Sequence, residues 1–62
     1  MEYIIKIDTG NAAFGENNSA DEAIEVARIL MGYANAIKDG EIIYDISLKD
    51  INGNKTGTVE KI

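Results

Sequence analysis

The chain has 62 residues, 11 acidic and 6 basic, and a net charge of −5, with no cysteine and no histidine. Those absences exclude disulfides, an ordinary zinc site and Ser-His or Cys-His catalysis, while the acidic balance argues against a basic patch for a nucleic-acid backbone. A domain this small buries only about 60% of the surface its unfolded chain exposes, so self-association is the expected staple.

The first element is "EYIIKID". Tyr3, Ile5 and Ile7 alternate with Ile4, Lys6 and Asp8, the pattern of a half-buried strand. Its apolar run is too short for a membrane span, and it lacks the basic start of a signal peptide. Thr9-Gly10-Asn11 reads as a turn. The loop that follows holds the chain's only phenylalanine, Phe14. Within Ala12-Ala13-Phe14 it is expected to plug the helix-sheet core, and Gly15 lets the chain turn sharply after it.

Ser19 and Glu22 form the spacing of a capping box, and Gly40 reads as a stop, so a helix is expected over Ala20 to Lys38. Placed at about 100° per residue, Ala20, Ala23, Ala27, Leu30, Met31 and Ala34 form a stripe with Ile24 and Ile37 at its margins. That stripe is expected to lie on the sheet. Val26, Ile29 and Tyr33 form a second strip, and the whole apolar arc spans roughly 220°, where a surface helix needs only about 100°. The second strip is therefore expected to be the interface with another subunit or partner, with Ile29 the most diagnostic member.

"EIIYDISLKD" alternates again, and Asn52-Gly53 is a strong hairpin signal. With a two-residue loop, Ile46 pairs with Val59 and Leu48 with Gly57; a three-residue loop with a bulge would alter the register. The expected fold class is α+β: a single β-α-β-β domain over residues 1–62, one helix packed on a three-stranded sheet. The apolar second strand is expected in the centre and the polar third at an edge, with the alternative that the third lies between the other two.

Few residues suggest chemistry. Asp50, Asn52 and Asn54 alternate like the start of a calcium loop, but Lys55 and Lys61 stand where the glycine and the acidic ligand belong. Asp45 and Glu60 would face each other on a flat sheet surface without a pocket. "GNAAFG" lacks the ending of a phosphate loop. No catalytic residue, metal or cofactor is expected, and the chain reads as non-enzymatic.

"IDTGNAAFG", "EVARIL" at Glu25 to Leu30, "KDGE" at Lys38 to Glu41 and "KDINGNKTG" at Lys49 to Gly57 occur in this order over nearly the whole chain. Together they resemble short proteins encoded in phages, prophages and bacterial mobile regions. The resemblance implies a genomic setting and a bacterial cytoplasm, and no functional residue follows from it. Small phage proteins of this kind are often inhibitors of host defence, so the leading expectation is an accessory protein that occupies a defence protein's surface. The rival expectations are a structural or regulatory homo-oligomer without a defence role, and sequestration of a small molecule between subunits; the expected oligomer is a two-fold dimer. Neither nucleic acid nor membrane is an expected partner.

Overall fold

The computed structural model describes residues 1–40 and 46–62. Strand β1 (Tyr3–Ile7) leads through a one-turn 3-10 helix (Ala12–Phe14) into helix α1 (Ala20–Lys38), followed by β2 (Ile46–Lys49) and β3 (Lys55–Lys61). The expected alternation of Ile42 and Tyr44 and the Asp45–Glu60 pair involve residues 41–45, outside the described ones.

The helix begins and ends where its caps predict. Ser19 Oγ accepts the N–H of Glu22 at 3.2 Å, and Asp21 and Glu22 sit at the positive end of the helix dipole. The capping box is modified, however. The Glu22 carboxylate reaches past Ser19 to the N–H of Asn18 at 2.9 Å and accepts the Thr9 hydroxyl at 2.6 Å. It thereby ties the exit of β1 to the first helical turn. At the other end Gly40 adopts φ +76°, the left-handed conformation that a stop glycine supplies without steric cost.

The sheet order is β1-β3-β2, and β3 is antiparallel to both neighbours. The expectation of a central second strand is thus corrected: the third strand is central, and β1 and β2 run parallel on either side of it. Two features explain the choice. β3 has seven residues and pairs with all five of β1, and the ladder continues through Glu2 and Ile62, which exchange both backbone bonds. Gly57 also lets β1 come close: a Cβ there would stand 2.0 Å from the Lys6 carbonyl oxygen. The polar look of β3 reflects a sheet covered on one face only. Val59 is fully buried on the covered side while Glu60 is exposed.

The hairpin combines both anticipated loop geometries. Gly53 N–H donates to Asp50 O and Asp50 N–H to Asn54 O, so Ile51, Asn52 and Gly53 form a three-residue loop with Gly53 at φ +84°. The ladder then slips between Leu48 and Lys49, leaving Thr56 as the extra residue of a bulge. The slip restores the pairs Ile46–Val59 and Leu48–Gly57 that a two-residue loop predicts.

The core consists of Phe14, Ile29, Tyr33, Leu48 and Val59, with Ile7, Ala13 and Val26 packed against it. Phe14 is completely buried, as expected. The orientation of α1 is the main correction. Val26, Ile29 and Tyr33, expected as an intersubunit interface, face the chain's own sheet and Phe14. The alanine-rich stripe expected on the sheet faces outward instead. The inner strip carries a large branched or aromatic side chain at each of its three positions, where the outer stripe intersperses its large ones with four alanines, and Ile29 and Tyr33 meet Phe14, Leu48 and Val59 in one cluster.

Candidate functional site

Two places in the molecule bear on function. The first is a polar clasp where α1, the β1–α1 loop and the hairpin meet. Glu25 is buried on the inner flank of α1. Arg28 donates to both of its oxygens, Nε to Oε1 at 2.7 Å and Nη2 to Oε2 at 3.0 Å. The backbone N–H of Ile51 donates to Oε2 at 2.9 Å. Asp50, also buried, accepts the N–H groups of Asn52 and Asn54 at 2.8 and 2.9 Å on Oδ1. Its Oδ2 accepts Asn11 Nδ2 at 2.9 Å. Asn11 in turn caps the 3-10 turn by accepting the N–H of Ala13, so the chain of bonds runs from the hairpin tip to the backbone beside Phe14.

Both carboxyls are held below their ordinary range. For Glu25 the hydrogen bond from Arg28 is the main cause, outweighing burial. For Asp50 burial pushes upward, and the bonds from Asn54, Asn52 and Asn11 overcome it. These are committed anions whose oxygens meet the chain's own donors, which is an arrangement for stapling a loop. The alternating Asp50, Asn52 and Asn54 bring backbone donors to one carboxylate rather than three side chains to one ion. Among the described residues no group of three acidic side chains is placed to hold a metal.

A shallow depression of about 560 Å³ lies beside the clasp, lined by Asp8, Gly10, Asn11, Lys55, Thr56 and Gly57. Asp8 Oδ1 already accepts the N–H of Gly10 at 2.8 Å. Thr56 is buried, and its hydroxyl oxygen meets no hydrogen-bond partner among the described residues.

The second place is the outer face of α1. Ile24 and Met31 are 65% and 66% exposed, and Leu30 and Ile37 are 38% and 37% exposed. Ala20, Ala23, Ala27 and Ala34 lie between them, also exposed. These residues form one apolar surface along the whole helix. An apolar arc too wide for one sheet was legible in the sequence; the strip left uncovered is the opposite one. The clasp itself was missed. Its signals were the Glu25–Arg28 spacing of three on one helix face and the side chain of Asn11 ahead of "AAF".

No helix among the described residues is long and apolar enough to cross a membrane. No protein-family model, curated protein or solved structure matches the chain.

Proposed function

We propose that this chain is a non-enzymatic protein-binding module, and that the outer face of α1 is the surface it offers. The observation that carries the reading is the apolar strip from Ala20 to Ile37, which the chain's own sheet leaves open. Contiguous apolar patches of this kind mark interaction sites, whereas isolated apolar side chains do not. The clasp supports the reading indirectly, because its acidic groups are consumed in holding the hairpin and leave no free acid-base pair.

The resemblance to short phage-encoded proteins makes a component of a bacterial anti-phage defence system the proposed target of the assembled protein, occupied without catalysis. A tagged chain, expressed beside an untagged copy in bacteria carrying such a system, tests both levels. The wild type should retain a stoichiometric protein, either the untagged copy or a defence component, and should relieve phage restriction. Met31→Glu should release the retained protein while the purified variant keeps its circular dichroism. If the wild type retains nothing, or the variant retains the same set, the protein-binding reading fails. Retention without relief of restriction removes the defence target alone.

A further inference from the structure

The spacing along the outer face of α1 identifies its occupant more closely. Ala20, Ala23, Ala27, Leu30, Ala34 and Ile37 follow one another at alternating steps of three and four, the seam spacing of paired helices. None of the six is buried by the chain itself. Ile24 and Met31 flank the seam on one side and are the most exposed large apolar residues of the helix. A seam of this kind fits another helix rather than a strand or a flat surface.

We infer that the outer face of α1 packs against the same face of a second copy, with the two helices antiparallel about a two-fold axis between Arg28 and Ile29. The inference rests on the reading of that face as a protein-binding surface. In the antiparallel alignment Ala20 of one copy opposes Ile37 of the other, Ala23 opposes Ala34, and Ala27 opposes Leu30. Every opposed pair contains an alanine. The small side chain lets the helices approach, and each large one finds room over an alanine. A two-fold axis repeats each contact, so the surface is complementary to itself, as such an interface requires.

The helix dipole selects the direction. Antiparallel helices set the positive end of each dipole, with Asp21 and Glu22 in its first turn, beside the negative end of the other. Parallel helices would place like dipole ends together. The size is also suitable. A dimer of ordinary size covers about 800 Å² per partner, roughly a fifth of this chain's 4369 Å² surface. A helix of 19 residues presents a seam about 28 Å long.

Sedimentation of the purified chain, from low to several hundred micromolar, reads the self-association directly. The wild type should form dimers, and Ala27→Glu should weaken them at least a hundredfold. Met31→Lys is a second disruptive variant for use if Ala27→Glu does not fold. The absence of native cysteine makes disulfide trapping clean. An equimolar mixture of Ala23→Cys and Ala34→Cys chains should give a disulfide-linked heterodimer on oxidation. Ala20→Cys alone should give none, because two Ala20 positions lie at opposite ends of antiparallel helices. Cross-linking of Ala20→Cys to itself would overturn the antiparallel arrangement. A monomeric wild type at several hundred micromolar, or an unchanged dimer in both disruptive variants, would overturn the inference altogether. If that monomer still retains a bacterial protein which Ala27→Glu releases, only the second copy is wrong; if it retains nothing, the protein-binding reading falls as well.

Discussion

The two faces of α1 are both apolar, yet one is the core and the other is open. The inner face presents Val26, Ile29 and Tyr33 to Phe14, Leu48 and Val59. The outer face presents four alanines among Ile24, Leu30, Met31 and Ile37. Hydrophobic count does not separate them; by number the outer face is the richer. What separates them is the fit of three large inner side chains to Phe14, Leu48 and Val59, and a polar anchor at the edge of the inner face. Glu25 can reach the hairpin N–H of Ile51 only when the inner face is turned toward the sheet. The rotation of an amphipathic helix is thus set by which side chains fill the space above a sheet and which polar group finds its partners there.

The sharpest way to break this comparison is to place the same charge on each face. Ile29→Glu should have the largest effect. It puts an unpartnered carboxylate into the core, which costs several kcal/mol, comparable with the whole reserve of a small domain. No cooperative thermal transition should remain. A folded Ile29→Glu chain would show that the helix can rotate and bury its outer face instead.

Phe14→Ala comes next. Phe14 is fully buried beneath the inner face, and truncation should cost about 3–5 kcal/mol in urea unfolding. A near-neutral result would mean that the inner face does not depend on the loop that carries the ring.

The anchor can be tested by pH. Glu25 and Asp50 have lowered pKa values in the fold. Their contribution to stability is therefore present above the ordinary carboxylate range and is lost as pH falls through the lowered folded values. Unfolding free energy should decline as pH is lowered through and below the ordinary carboxylate range. Glu25→Gln should reduce stability at neutral pH and flatten that decline, because its amide does not titrate. An unchanged slope would remove Glu25 from the account of what orients the helix.

Met31→Glu should have the smallest effect on the fold. In protein dilute enough to be monomeric, its stability should stay within about 0.5 kcal/mol of the wild type, as for other surface substitutions. A large loss would mean that the outer face is buried within a single chain.

Local features of this protein were legible in its sequence because their physics is local. Ser19, the acidic first turn and Gly40 bound α1 at Ala20 and Lys38, since caps satisfy backbone groups within a few residues. Alternation marks β1, and the apolar pattern holds Ile46 opposite Val59 even though the loop is one residue longer than Asn52-Gly53 implies. Phe14 was legible as a core residue because no other large ring was present in that loop. The strand order and the rotation of α1 belong to tertiary structure. β1 had two strands to choose between, and the close approach allowed by Gly57 matters only once Lys6 lies beside it. The helix had two apolar faces, and the choice depended on Phe14, Leu48 and Val59 meeting Ile29 and Tyr33 from distant parts of the chain. Periodicity records which residues share a face; which face is buried depends on the shape and hydrogen-bond donors of whatever the rest of the chain sets against it.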